Sequence, residues 1–133
     1  MTSHASARPL HITVVADNPE TMDGMLAYFG RAGISTRGTR ALGELCAIAS
    51  ASTAVVVFPD DFDAPEVAAT IAHLQGARPR VLIVLITREP RRFTAARDAR
   101  SRSIPIVILP KPSFGWSILD AIRAHVDRET GRA

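Results

Sequence analysis

Short runs of apolar, mostly β-branched residues constrain the fold of this chain more than any other feature. They cover residues 12–15, 54–58, 81–86 and 106–109. Each run is apolar on both faces, as a strand must be when helices cover both sides of its sheet. The pattern therefore predicts a parallel sheet buried between two helical layers.

Segments with helical spacing lie between these runs, at residues 19–32, 41–50, 65–75, 90–100 and 114–126. The first has Asn18 as a candidate N-cap and Pro19 at its first position. The last places Phe114, Ile118, Ile122 and Val126 four residues apart, on one face of a helix. A less hydrophobic strand, residues 34–37, suits a sheet edge.

The alternation of strands and helices predicts one α/β domain with five strands and five helices. We expect a doubly wound sandwich, with helices on both faces of the sheet. The domain should span residues 9–128, between flexible tails at 1–8 and 129–133.

Composition limits the class of protein. A chain of 133 residues that is 47% apolar can bury the core of one domain. Its apolar runs are far shorter than the roughly 20 residues that span a bilayer, so we expect a cytoplasmic protein without membrane contact. The 16 Lys and Arg against 13 Asp and Glu favour an acidic partner, and 5% aromatic residues argue against nucleic acid, which is commonly bound by stacking.

Polar residues directly follow the predicted strands, where open parallel sheets bind their ligands. They are Asp17, Asp60, Asp61, Thr87 and Lys111. Carboxylates are the oxygen ligands that Mg²⁺ prefers, a lysine can neutralise phosphoryl charge, and a hydroxyl can bond a phosphoryl oxygen. An alternative role for Asp17 is to cap the first helix together with Asn18.

In these residues the chain resembles the receiver domains of two-component response regulators, the CheY-like superfamily, over about residues 11–126. The matching stretches are ITVVADN, GISTRGTRALGEL, VLIVLIT and VILPKPSFGWSILDAI, and the pair Lys111-Pro112 is the most specific element. The resemblance implies that Asp17 is a metal-binding acid, Thr87 the switch hydroxyl and Lys111 the phosphate-contacting lysine. It implies a flavodoxin-like (βα)5 doubly wound sandwich with strand order 2-1-3-4-5. It also implies a signalling protein rather than an enzyme.

Several positions depart from the receiver pattern. Ala16 stands where receivers usually have a second acid, so we expect Mg²⁺ binding to be weak or absent. Pro59 falls at or next to the phosphoacceptor position, which displaces Asp60 and Asp61 by one or two residues. One residue moves a carboxylate roughly 3.3 Å, so neither is assumed to be competent. Both remain candidate phosphoacceptors and, with Asp17, candidate Mg²⁺ ligands.

Two further departures concern how such a site would signal. Arg88 replaces the small residue that usually leaves the site open, and its guanidinium is expected to cover the site or to take the place of the phosphate. Ile108 replaces the aromatic residue that commonly reports phosphorylation. The resemblance therefore implies a degenerate receiver.

The segment 88–102 is rich in arginine. A charge run of this kind is commonly a solvated face, and that interpretation stays open. Receivers commonly signal through this side, however, and the planar guanidinium suits carboxylate pairing. The candidate docking residues are Arg91, Arg92, Arg97 and Arg100.

Two functions follow from these features. The leading hypothesis is a stand-alone receiver-like signalling protein of a bacterial two-component or phosphorelay system, which acts by protein–protein contact and has an eroded phosphorylation site. The alternative is a working Mg²⁺-dependent phosphoacceptor that receives phosphate from a histidine kinase on Asp60 or Asp61. The expected partner is a histidine kinase or another regulator with an acidic surface, and the oligomeric state stays open.

Overall fold

The computed structural model of the chain describes residues 9–49, 51–93 and 106–131. Five strands form a parallel sheet in the order β2-β1-β3-β4-β5, which confirms the predicted fold class. The strands are β1 His11–Val15, β2 Ser35–Thr39, β3 Ala54–Val57, β4 Leu82–Thr87 and β5 Ile106–Pro110. Strand order reverses next to β1, so the carboxyl ends of β1 and β3 form the position at which doubly wound sheets bind ligands.

The described α-helices are α1 Pro19–Arg31, α2 Leu45–Ile48, α3 Ala64–Ala77 and α4 Gly115–Gly131. Residues 91–93 are also helical, while residues 94–100 of the predicted helix 90–100, with Arg97 and Arg100, lie outside the described residues. The predicted tail at residues 1–8 lies outside them as well. Helix α4 runs past the predicted domain end at residue 128, because no helix-breaking residue precedes Gly131.

Both faces of the sheet are buried, as the apolar runs predict. On one face Ile12, Val14, Val56, Val84 and Ile86 pack with residues of α1 and α4, including Phe29, Ile118 and Ile122. On the other face Val15, Val55, Val57, Ile83 and Leu85 pack with residues of α2 and α3, including Leu45, Val67, Ile71 and Leu74. Strand β2 is the edge strand, and most of its residues are at least partly exposed.

Local signals fix the start of α1. The Asn18 side chain accepts hydrogen bonds from the backbone N–H groups of Glu20 at 2.8 Å and Thr21 at 3.0 Å. Pro19 occupies the first helical turn, where its missing N–H costs nothing. The predicted cap is therefore confirmed.

The second helix is much shorter than the predicted segment 41–50. A 3₁₀ turn, Leu42–Glu44, precedes the single α-helical turn of α2. The Thr39 hydroxyl donates to Glu44 Oε1 at 2.9 Å and accepts from the Ala41 N–H at 3.1 Å. These local bonds compete with helix formation, and Gly43 has a low helix propensity. Leu42 and Leu45 are nevertheless buried, so the segment still closes the core.

Candidate functional site

Four loops meet at the carboxyl edge of the sheet because all five strands run in the same direction. Asp17 follows β1, the 3₁₀ turn Pro59–Asp61 follows β3, Thr87 ends β4 and Lys111 follows β5. The turn begins with the buried Pro59, so the chain bends at once after the strand. This bend decides where the next two carboxylates lie.

The Asp60 carboxylate bridges from the turn to the end of β4. Its Oδ1 accepts a hydrogen bond from the Thr87 hydroxyl at 2.6 Å, and its Oδ2 accepts one from the Arg88 backbone N–H at 2.8 Å. Partial burial raises the pKa of the Asp60 carboxyl, but these bonds and the charges of Lys111 and Arg88 lower it by more, so the pKa lies below its ordinary value of 3.8. Asp60 is therefore an anion held by donors on β4 and a cation after β5.

Thr87 is fixed in this orientation by its neighbours. Its side chain is fully buried, and its Oγ1 accepts a hydrogen bond from the Glu89 N–H at 3.0 Å while it donates to Asp60. Its carbonyl oxygen accepts from the Lys111 N–H at 3.0 Å, which ties the loop after β5 to the end of β4. The hydroxyl thus uses its one hydrogen as donor and one of its two lone pairs as acceptor.

Lys111 completes the positive side of this cluster. Its ammonium nitrogen lies 5.9 Å from the centroid of the Phe58 ring, which is buried at the end of β3. A cation at this distance from an aromatic face is attracted by the ring. The peptide bond between Lys111 and Pro112 is cis.

Asp61 points to the other side of the turn. Its Oδ2 accepts hydrogen bonds from the backbone N–H groups of Asp17 at 3.0 Å and Asn18 at 3.4 Å. The carboxylate therefore ties the loop after β3 to the loop between β1 and α1. Asp60 and Asp61 are adjacent in the sequence, but they bind to loops on opposite sides of the same site.

The Asp17 side chain forms an ion pair rather than a cap. Its Oδ1 lies 3.7 Å from Nη2 of Arg40, and Arg40 Nε donates to the Asp17 carbonyl oxygen at 2.8 Å. Both side chains are more than half exposed, so the pair contributes at most about 1 kcal/mol. Capping belongs to Asn18.

The three carboxylates are not arranged as a set of Mg²⁺ ligands. Mg²⁺ requires near-octahedral oxygen coordination. Asp60 faces β4, Asp61 binds backbone N–H groups and Asp17 pairs with Arg40, while Ala16 is fully buried and offers no side-chain oxygen. Within residues 9–49, 51–93 and 106–131, no three His, Cys, Asp or Glu side chains form a cluster that could hold a metal ion. With each carboxylate bound to groups of the chain itself, this arrangement does not fit the ion. The Mg²⁺ site at Asp17, Asp60 and Asp61 therefore stays a prediction that would require these contacts to rearrange.

The sequence predicted Asp60, Thr87 and Lys111 as site residues, and the structure brings these three together. The sequence did not point to the Arg88 backbone N–H or to Arg40. A backbone donor carries no signature in residue type, so only the turn geometry reveals it. Arg40 lies just after β2 and gives no pattern that points to Asp17. Arg88 was expected to cover the site with its guanidinium or to take the place of the phosphate, but its side chain is exposed. The Asp60 carboxylate instead accepts the hydrogen bonds of the Thr87 hydroxyl and the Arg88 backbone N–H.

An exposed aromatic pair, Phe114 and Trp116, lies at the start of α4. Their side chains are 67% and 57% exposed, and their rings stack with centroids 6.2 Å apart and planes 8° from parallel. Phe114 was predicted to lie on one apolar face of the last helix with Ile118 and Ile122, and this was wrong. The helix begins only at Gly115, so Phe114 lies outside its helical face, while Ile118 and Ile122 are buried as predicted.

The predicted docking arginines are partly within the described residues. Arg91 and Arg92 are exposed after β4, and Nη2 of Arg92 lies 3.2 Å from Oε1 of Glu89. None of the described helices is long and apolar enough to cross a membrane.

Comparison with known proteins identifies the fold. No family model matches the sequence, and no curated protein matches it. Among solved structures, a CheY-like receiver domain protein from Methanospirillum hungatei is 14% identical, with a TM-score of 0.78 over 95% of this chain and 100% of that chain. A receiver domain protein from Clostridium thermocellum is 14% identical, with a TM-score of 0.72 over 93% and 99% of the two chains.

A receiver protein from Sinorhizobium medicae is 19% identical, with a TM-score of 0.67 over 90% of this chain and 95% of that chain. Together these structures show that the chain has the fold of response-regulator receiver domains. This agrees with the resemblance found in the sequence.

Proposed function

We propose that this chain is a receiver-like signalling module that acts by protein–protein contact and whose phosphorylation site is filled by its own Asp60 carboxylate. The observation that carries the proposal is the pair of hydrogen bonds from Thr87 and the Arg88 N–H to the two oxygens of Asp60. The module belongs to a two-component or phosphorelay type of system, works in the cytoplasm and catalyses no reaction on another molecule.

The donors around Asp60 are those that an acyl phosphate would need. A hydroxyl, a backbone N–H and a lysine provide two hydrogen bonds and a positive charge for anionic oxygens. Asp60 satisfies both hydrogen-bond donors with its own oxygens. A phosphoryl group on either oxygen would break one of these bonds. It would also displace the carboxylate from the donors that are needed to bind the acyl phosphate.

Asp61 is no better placed to accept a phosphoryl group. Its Oδ2 accepts hydrogen bonds from two backbone N–H groups in the loop after β1. These bonds lower the nucleophilicity of that oxygen and hold the carboxylate away from Thr87. The absence of an acid at position 16 removes a carboxylate that would help to bind Mg²⁺ nearby.

The proposed docking surface consists of Phe114, Trp116, Arg91 and Arg92. Aromatic residues and arginine are the types most enriched at protein interfaces. The two parts follow neighbouring strands, β4 and β5, whose ends are joined by the hydrogen bond from Lys111 to Thr87. Such a surface suits a partner that presents acidic and apolar side chains, such as a histidine kinase or another regulator.

The alternative function is a Mg²⁺-dependent phosphoacceptor on Asp60 or Asp61. The observation in its favour is that Asp60, with its lowered pKa, is an ionised carboxylate beside Thr87 and under the charge of Lys111. An ionised carboxylate is the nucleophile that phosphoryl transfer requires.

Reaction with a small phosphodonor separates the two functions. The purified chain is incubated with acetyl phosphate and Mg²⁺, and its intact mass is measured. Our proposal expects no phosphorylated species. A phosphorylated species that depends on Mg²⁺ and disappears in Asp60→Asn but not in Asp63→Asn would establish the alternative on Asp60, and its loss in Asp61→Asn alone would place it on Asp61.

A further inference from the structure

We propose that the amino edge of the sheet, opposite Asp60, carries a cavity that binds a small phosphorylated ligand. The cavity has a volume of about 320 Å³ and lies where the chain enters β3 and β4. Its lining consists of Ala51, Ser52, Thr53, Arg78, Arg80, Val81, His125 and Val126. These residues precede β3 and β4 or belong to the second half of α4, so the cavity shares no residue with the carboxyl-edge site.

Charge is the first observation that points to an anion. Arg78 and Arg80 both line the cavity, and none of its lining residues is acidic. In the described part of the chain, ion pairs join Arg40 to Asp17 and Arg92 to Glu89, and no carboxylate pairs with Arg78 or Arg80. Two guanidinium groups without a carboxylate attract an anion, and their planar shape matches phosphate oxygens in pairs.

The backbone holds Arg78 and the neighbouring wall in place. The Arg78 N–H donates to the Leu74 carbonyl at 2.7 Å at the end of α3, and the Val81 N–H donates to the Arg78 carbonyl at 3.1 Å. Arg78 is half-buried, so its charge is partly sheltered from solvent. A sheltered charge binds an anion more strongly than a fully solvated one.

Hydroxyl groups supply the second observation. Ser52, which is 9% exposed, lies with its Oγ 2.5 Å from Oγ1 of Thr13. Each hydroxyl has one hydrogen, and a single bond between them uses only one, so the pair can donate the other to a further acceptor. The Thr53 hydroxyl accepts from the His11 N–H at 3.2 Å, which leaves its own hydrogen for another acceptor.

The shape of the cavity indicates more than a bare ion. Its volume lies at the small end of ligand pockets, which span about 300–1,000 Å³. Val81 and Val126 give it an apolar wall. A second cavity of about 180 Å³ shares Ala51 and Ser52 and adds Arg37 and His11. The arginines therefore suit a phosphate group, and the apolar wall and second cavity suit the body of a small molecule.

The test is an NMR titration of the full chain, with amide shifts followed residue by residue at constant ionic strength. The probes are inorganic phosphate and a nucleoside monophosphate, with sodium chloride as the reference. We expect saturable shifts at Ser52, Thr53, Arg80 and Val81, with tighter binding of the nucleotide. The combined change of Arg78→Gln and Arg80→Gln should weaken binding by about tenfold or more, since it removes charge-assisted hydrogen bonds.

The matched control removes the same charge elsewhere. Arg31→Gln combined with Arg123→Gln changes two arginines that do not line the cavity. This double variant should bind the probes as the unchanged chain does. Equal weakening in both double variants would show a general charge effect and overturn the proposal, as would an absence of saturable shifts at millimolar probe. Binding of phosphate without binding of the nucleotide would overturn the assignment of a phosphorylated organic ligand.

Discussion

Asp60 and Asp61 are neighbours in the sequence, yet they perform different tasks because the 3₁₀ turn separates their directions. One carboxylate binds donors at the end of β4, and the other binds N–H groups after β1. Both therefore stabilise the carboxyl edge of the sheet by cross-linking loops. The pKa of Asp60 provides a way to measure this at a single residue.

The pKa of Asp60 predicts how its contribution to stability depends on pH. Its folded-state pKa is lowered, so the contribution is complete above the ordinary carboxyl pKa of 3.8 and is lost as pH falls through the folded-state value. Asp60→Asn should therefore lower the free energy of unfolding at pH 6, and the difference should shrink at pH 3. Urea denaturation at both pH values measures it.

Asp63→Asn is the matched control for this experiment. Asp63 is exposed just before α3 and makes no side-chain capping hydrogen bond. Its replacement should change stability by less than about 0.5 kcal/mol. A difference for Asp60→Asn that is the same at both pH values would contradict the assigned role of its charge.

Residue types along the sequence predicted some of the side chains that meet at this edge of the sheet. Thr87 and Lys111 were identified because they follow apolar runs, and strand ends of one sheet must meet. The direction of the Asp60 carboxylate could not be predicted, since it depends on the dihedral angles of a turn that begins at Pro59. The same holds for Asp61, whose partners are backbone groups without a sequence signature.

Among the helices, α1 offers a test in which one substitution has opposite effects at two positions. Gly33, just after α1, has φ +79°, a left-handed conformation that costs other residues about 1 kcal/mol or more. Gly24 lies exposed within α1, and a Cβ there would meet nothing within 4 Å. Gly33→Ala should destabilise the fold by about 1 kcal/mol, and Gly24→Ala should stabilise it by roughly 0.5–1 kcal/mol.

Thermal unfolding of both variants checks this expectation. The two changes add the same methyl group, so a difference in sign isolates the backbone conformation. A loss of stability in both variants, or in neither, would contradict the assigned conformation at Gly33.

Helix α3 carries a buried side-chain amide that has no hydrogen-bond partner among the described residues. Gln75 is 2% exposed, and neither its Nε2 nor its Oε1 has a hydrogen-bond partner in the described structure. Burying such a group costs about 1–3 kcal/mol. Gln75→Met, which keeps the length of the side chain and removes the polar atoms, should raise the free energy of unfolding by about 1 kcal/mol. Gln75→Glu should lower it, because it buries a charge.

Chemical denaturation of these two variants measures the effect. A loss of stability in Gln75→Met would show that the amide has a partner in solution. The burial of Gln75 could not be predicted from the sequence, because a glutamine near a helix end is usually exposed.

The whole molecule shows how much can be predicted without relatives of high identity. Solved structures only 14% identical share its fold over more than nine tenths of the chain. A parallel sheet needs apolar residues on both faces, and many sequences satisfy that pattern. The apolar runs therefore predicted a parallel sheet between two helical layers, and the resemblance to receiver domains implied its strand order. The hydrogen bonding at the site could not be predicted, because it depends on which donor and acceptor atoms pair in a few loops.

The most direct test of the central claim is a titration of the chain with Mg²⁺ and beryllofluoride, a stable mimic of an acyl phosphate, followed by NMR at every residue. If Asp60 fills the site, the amides of Asp17, Asp60, Asp61, Arg88 and Lys111 should not shift at millimolar Mg²⁺ beyond the effect of salt. Saturable shifts at these residues that require both Mg²⁺ and beryllofluoride would contradict the account, since they would show that the carboxylate can leave its donors and accept a phosphoryl group.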